Sequence, residues 1–211
     1  MRLFLSSENL GRYPDALLEM VGTRKRVAYI CNAKDYTDSE ARSAKVAQHQ
    51  VQFEGLGFKF VEIDLREYFD KVVPANILDG FGLVWCAGGN TFLLNYALHR
   101  SGFADVLKPQ LNQGKIVYGG SSAGAIVATP SLEGSEHGDD PGAVKQVYKA
   151  EIIWTALCLV PFYIAPHYKS SWFGSESADM VGYFKDNKLD YYALEDGQVA
   201  IVDGKTTQVL K

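Results

Sequence analysis

Five residues, Gly120-Ser121-Ser122-Ala123-Gly124, satisfy G-x-S-x-G around Ser122, the spacing of a serine carried on a sharp turn between a strand and a helix. Glycines on both sides avoid the clashes larger side chains would make there. The hydroxyl then projects from the sheet, and the next backbone N–H can face a developing oxyanion. Ser121 does not fit the pattern, because Ala123 stands two residues after it. A serine hydroxyl is a weak nucleophile until a base takes its proton, and the usual base is histidine. Of the four histidines, His49 and His99 fall in helical patterns, with plain readings as surface or helix-end residues, and His137 falls in an acidic loop. His167 instead follows a strand pattern in Ala165-Pro166-His167-Tyr168, where proline fixes the backbone as the chain leaves the sheet. A third group should be a carboxylate that orients the imidazole. Asp139 and Asp140 lie between Ser122 and His167, and Glu195 and Asp196 lie beyond them. The competing readings are a glycine turn that packs on a helix or holds a small anion, a packed histidine, and solvated loop acids.

These side chains need a scaffold that brings them to one edge. Short apolar runs alternate with helical patterns, which predicts a mostly parallel sheet with helices on both faces, a three-layer α/β architecture. Strands are expected at Leu3 to Leu5, Arg26 to Ile30, Phe58 to Asp64, Phe81 to Cys86 and Lys115 to Tyr118. Helices are expected at Tyr13 to Val21, at Asp38 to Leu56 with Asp38 as N-cap, and from the Gly88-Gly89-Asn90-Thr91 turn to about Arg100. Two glycine turns thus end strands in one half of the chain, where open α/β sheets bind ligands. Residues 129–142 read as a long polar loop. Further strands are expected at Leu159 to Ile164, Tyr191 to Leu194, Val199 to Val202 and Thr206 to Leu210, with Asp203-Gly204 as a hairpin turn.

Composition narrows the class. With 211 residues the chain is expected to form a single α/β domain, 1–211. The balance of 21 basic and 25 acidic residues, without an extended basic run, argues against a nucleic-acid partner. Cys31, Cys86 and Cys158 lack zinc-ligand spacing, and their odd number argues against a disulfide framework. The N-terminal apolar run is too short for a signal peptide, and the stretch from Ile152 to Ala165, broken by Thr155 and Pro161, is too short for a membrane span. A cytoplasmic protein with reduced thiols is expected.

The segments Trp85-Cys86-Ala87-Gly88-Gly89-Asn90-Thr91-Phe92, Ser122-Ala123-Gly124-Ala125 and Pro166-His167-Tyr168, with the overall length and order, resemble peptidase E. This is the α-aspartyl dipeptidase family of serine peptidases, whose flavodoxin-like fold is related to class I glutamine amidotransferases. The resemblance covers nearly the whole chain. It implies Ser122 as nucleophile, His167 as general base, and the N–H groups of Gly89 and Ala123 as oxyanion donors. It favours Asp139, in Asp139-Asp140-Pro141, as the acid, with Glu195 of Glu195-Asp196-Gly197 as alternative. Asn90 and Lys169 are the substrate-binding residues it suggests. One departure stands out: the family's specificity arginine has no counterpart, since no arginine follows Arg100. Lys169 is the nearest substitute, but a point charge does not reproduce a guanidinium fork.

The expected function is a serine exopeptidase acting on dipeptides or short peptides, including those with N-terminal aspartate, through an acyl-enzyme on Ser122. No metal, cofactor, membrane or nucleic-acid partner is expected, and the protein should be a monomer or homodimer. An esterase of the α/β-hydrolase type shares the order Ser122, Asp139, His167, although 44 residues follow His167 where that fold usually ends. A non-catalytic domain that binds an amino acid or peptide is the third reading.

Overall fold

The structure, a computed structural model, describes residues 1–211. In chain order its elements are β1 (Arg2–Ser6), α1 (Pro14–Val21), β2 (Arg26–Ile30), α2 (Ser39–Gly55), β3 (Lys59–Glu62), β4 (Leu83–Cys86), α3 (Thr91–Arg100), α4 (Phe103–Asn112), β5 (Val117–Ser121) and α5 (Ala123–Ile126). They continue with α6 (Ala143–Tyr148), β6 (Tyr163–Ala165), α7 (Gly174–Asp186), β7 (Tyr191–Ala193), β8 (Val199–Asp203) and β9 (Thr206–Leu210). Most of these follow the apolar patterning. At α2 the Asp38 side chain accepts from the Ala41 N–H at 2.8 Å, satisfying one of the helix's free donors. Two longer helices are absent from the sequence reading: α4 carries an internal Pro109 and α7 is diluted by Gly174 and Gly182, so propensity argues against both.

The main sheet runs β3-β2-β4-β5-β1-β8-β9. Its first five strands are parallel, and β8 and β9 join antiparallel through the Asp203-Gly204 hairpin. Alternate residues of each strand face opposite layers. Phe4, Val27, Tyr29, Leu83, Trp85 and Val117 pack with Leu17 and Val21 of α1 and Phe53 of α2. Leu3, Leu5, Ala28, Ile30, Val84, Cys86 and Tyr118 face α3, α4, α5 and α7 on the other side. This is the expected mostly parallel, three-layer α/β fold.

Two strands depart from expectation. The run from Leu159 becomes extended only at Tyr163, and β6 does not join the main sheet. It pairs in parallel with β7 as a separate two-stranded sheet, Ala165 opposite Ala193. The residues that follow β6 and β7 therefore leave side by side. No helix of the protein is long and apolar enough to cross a membrane.

Candidate active site

Ser122 stands between the end of β5 and the start of α5 with φ of 52° and ψ of -113°. A non-glycine residue in that region costs of order 1–3 kcal/mol and is kept only where its surroundings over-determine it. Here the Ser122 N–H donates to the Ser6 carbonyl at 3.0 Å, tying the turn to β1. Gly124 presses so closely on β4 that a Cβ there would lie 2.1 Å from the Cys86 carbonyl oxygen. That contact is the physical reason for the second glycine of G-x-S-x-G.

His167 and Asp196 come from the two-stranded sheet. His167 lies just beyond β6 and Asp196 just beyond β7, so parallel pairing of those strands sets them together. The Leu194 carbonyl accepts from the Tyr168 N–H at 2.9 Å, and Ser7 Oγ accepts from the His167 N–H at 2.8 Å. His167, itself at φ of 60°, places Nε2 3.0 Å from Ser122 Oγ and Nδ1 2.6 Å from Asp196 Oδ1. Because the carboxylate is the acceptor, Nδ1 carries the hydrogen, and the Nε2 lone pair faces the serine hydroxyl. The imidazole is held further by Trp172 and Phe173, whose rings lie 4.5 Å and 5.5 Å from it. Trp172 Nε1 also donates to Asp196 Oδ2 at 3.3 Å, so both carboxylate oxygens are engaged.

Neither acid preferred from sequence occupies this position. Asp139 lies in the 129–142 loop, but the loop folds against the N-terminus of α3, and Asp139 Oδ2 accepts from the Thr91 N–H at 2.9 Å and the Thr91 hydroxyl at 2.5 Å. A carboxylate suits a helix N-terminus. Burial pushes its pKa upward despite these two bonds, which act the other way. Glu195 points outward and pairs with Lys169 at 2.8 Å, and that lysine holds its carboxyl below the usual range. Lys169 is in turn occupied on the exposed surface rather than in the cleft. Asn90 is the N-cap of α3: its Oδ1 accepts from the Leu93 N–H at 3.0 Å and its amide donates to the Asp140 carbonyl at 2.9 Å. One donor of its amide and its carbonyl oxygen are thus engaged within the fold, where they fix the start of α3.

Gly89, by contrast, lies on the wall of the cleft that contains Ser122. It has φ of +146°, and a Cβ there would sit 2.4 Å from the Ala33 carbonyl oxygen. Ala123 follows Ser122 directly at the first position of α5, where a helix has no internal partner for its N–H. No side chain or carbonyl of the protein takes the N–H of either residue.

The cleft has a volume of about 170 Å³ and is bounded by Glu8 and Asn9 after β1, Lys34 after β2, Gly88 and Gly89 after β4, Ser121 at the end of β5 with Ser122 beyond it, and His167 and Trp172 after β6, with Lys45 and His49 of α2. It lies at the carboxyl edge of the sheet, where open α/β folds hold their ligands. His49 is not a surface residue: its Nδ1 is 2.9 Å from the Tyr29 hydroxyl and burial lowers its pKa, favouring the neutral ring. Lys34, Lys45, Glu8 and Trp172 escape the sequence reading because they follow no motif. Asp196 was visible, one residue from the preferred alternative, but strand pairing alone identifies it. The arrangement can move a proton from the serine hydroxyl to an oriented imidazole beside two free N–H donors.

Comparison with known proteins agrees with this architecture. A solved structure of a Listeria monocytogenes protein proposed to be a peptidase E superposes with a TM-score of 0.79 at 22% identity, covering 100% of this chain and 98% of that one. An uncharacterized peptidase of Pasteurella multocida is 28% identical over 97% of this chain and 95% of its own length. Peptidase E of Streptomyces coelicolor is 36% identical over 50% of this chain and 40% of its own, and a probable α-aspartyl dipeptidase of Drosophila melanogaster is 33% identical over 54% and 43%. The model of peptidase family S51 matches residues 3–210, and with the whole chain spanned the conclusion is direct: the protein belongs to peptidase family S51.

Proposed function

We infer that this peptidase is a serine exopeptidase cleaving short peptides through an acyl-enzyme on Ser122. The observation that carries the reading is the continuous hydrogen-bonded line from Ser122 Oγ to His167 Nε2 at 3.0 Å and from His167 Nδ1 to Asp196 Oδ1 at 2.6 Å. Ser122 Oγ attacks the scissile carbonyl while its proton passes to Nε2, and Asp196 stabilises the imidazolium that forms. The carbonyl oxygen becomes an oxyanion within reach of the Gly89 and Ala123 N–H groups. Collapse breaks the C–N bond, with the Nε2 proton going to the leaving amine. Water, activated by the same nitrogen, then releases the acyl group and restores the serine. Preference for an N-terminal aspartate is supported by what the relatives are called, whereas Lys169, the cation expected to serve it, is engaged by Glu195.

The test is turnover of a dipeptide panel that includes Asp-X, with fluorophosphonate labelling followed by mass spectrometry. Ser122→Ala should lose both labelling and at least about 10³-fold of kcat/KM. Asp196→Asn, which leaves the imidazole without its anionic partner, should lose about 10³- to 10⁴-fold, while Asp139→Asn should not approach that loss. Equal turnover by Ser122→Ala and the parent would sink the reading.

A further inference from the structure

We propose that Lys34 and Lys45 form a subsite for the free α-carboxylate of a short peptide, with Glu8 receiving its α-ammonium at the other end of the cleft. This rests on the peptidase reading above and adds what limits substrate length. Strand order sets where these charges stand. Glu8 leaves β1, Ser122 leaves β5, Gly89 leaves β4 and Lys34 leaves β2, and these strands are consecutive across the sheet as β1-β5-β4-β2. Three interstrand steps span about 14 Å. An acidic group therefore lies on one side of Ser122 and two cationic groups on the other, in a single cleft. An extended chain covers at most about 3.6 Å per residue. Two or three residues, with the reach of a glutamate and a lysine side chain, bridge the two ends, and a longer peptide overshoots.

The lysines are available for such a role. Both are partly buried, and neither forms an ion pair within the protein, whereas all seven arginines and Lys169 have ion-pair partners or carbonyl acceptors elsewhere. Lys45 Nζ meets only the neutral Gln48 amide oxygen, at 2.9 Å, and Lys34 Nζ lies 5.8 Å above the Tyr36 ring. Lys34 is also anchored at its backbone. It ends a 3₁₀ turn from Asn32 to Lys34, in which the Asn32 amide donates to Asp35 at 2.7 Å and Asp64 at 3.1 Å, and Arg42 holds Asp35 at 3.1 Å. The Glu8 carboxylate meets only the Asn9 amide, at 3.3 Å. A peptide placed with its amino end toward β1 puts its acyl carbonyl beside Ser122 and Gly89 and its leaving residue toward the lysines. The cations then read a terminal carboxylate that every peptide possesses, instead of one side chain.

The experiment measures binding to Ser122→Ala protein by calorimetry, so that failure to turn over peptides, which would count against the peptidase reading, is separate from failure to bind. The ligands are Asp-Leu, Asn-Leu, Asp-Leu amide and N-acetyl-Asp-Leu. Amidation should weaken binding at least about tenfold, as expected for losing a charge-assisted contact, and acetylation should weaken it by a smaller factor. The double change Lys34→Ala/Lys45→Ala should remove the distinction between acid and amide, and Lys34→Arg/Lys45→Arg should restore it, with circular dichroism confirming that each variant is folded. Equal affinity for Asp-Leu and its amide, no binding of any of the four, or a persisting acid preference in the folded double alanine variant would each overturn the proposal. Discrimination between Asp-Leu and Asn-Leu without discrimination against the amide would also overturn it, assigning the lysines to a side chain instead.

Discussion

The two glycine turns at the sheet edge solve one problem by different means. The turn after β5 is built from its immediate neighbours: Ser122 bonds to β1 through Ser6, and Gly124 lies against the backbone of β4 at Cys86. The turn after β4 depends on distant chain. Gly89 is pressed against Ala33 in the 3₁₀ turn that follows β2, the Asn90 N–H donates to the Ala33 carbonyl at 2.8 Å, and the helix start is held by Asp139 and Asp140 from the 129–142 loop. The first turn positions the proposed nucleophile and the second a proposed oxyanion donor. A turn packed on adjacent strands is as rigid as the sheet, whereas one held by a loop inherits that loop's hydrogen bonds.

Substitutions can break this contrast. The largest effect is expected for Gly124→Ala, whose Cβ would meet a backbone oxygen of a central strand at 2.1 Å. It should cost about 3 kcal/mol or more, read as a fall in Tm of roughly 6–12 °C, and a melting point within about 2 °C of the parent would show the β5 turn to be pliable. Gly89→Ala combines φ of +146° with a 2.4 Å approach to Ala33. Its cost should be about 1–3 kcal/mol with the fold retained, and kcat should fall at least about tenfold as the N–H is displaced. A normal kcat in a stably folded variant would remove Gly89 from the oxyanion site.

The remote support can be probed at Asp139, with a smaller expected effect. Asp139→Ala leaves the Thr91 donors unpaired and should cost about 1–2 kcal/mol in denaturant unfolding, while Asp139→Asn retains an acceptor and should cost less. The pH dependence separates charge from hydrogen bonding. Burial raises the Asp139 pKa, so the stability linked to its protonation is fully present below the ordinary carboxylate pKa and is lost as pH rises through the raised value. Asparagine has no such dependence. Stability of Asp139→Asn relative to the parent should therefore improve between acidic and neutral pH, and a constant difference would show that burial of the charge does not govern this site.

Much of the fold was legible in sequence because the sheet strands are buried on both faces and read as short apolar runs, as at β2 and β4, while Asp38 and the Asp203-Gly204 turn act through local hydrogen bonds and backbone preference. Helix α4 was hidden because Pro109 contradicts helical propensity locally, although burial of Phe103, Leu107 and Leu111 favours the helix. In the site, Ser122 and His167 were legible from glycine and proline spacing. Asp139 was expected as the acid and Asn90 as a substrate contact, yet the Asp139 carboxylate accepts from Thr91 at the start of α3, and Asn90 caps that helix and donates to the Asp140 carbonyl. Chain position showed an acid between serine and histidine, but not which way the loop would fold.

By itself, then, the amino-acid sequence determined the mostly parallel α/β class, the strained serine turn and the proline-flanked histidine, because each depends on residues within one or two turns of chain. The tertiary structure decided the rest. Parallel pairing of β6 with β7 brings the turn from Glu195 to Gln198 beside His167, and it is Asp196, not Glu195, that meets the imidazole there. The strand order β1-β5-β4-β2 sets Glu8 opposite Lys34 across Ser122. All seven arginines precede residue 101, and the cations of the cleft prove to be two lysines whose common location exists only once the sheet is assembled.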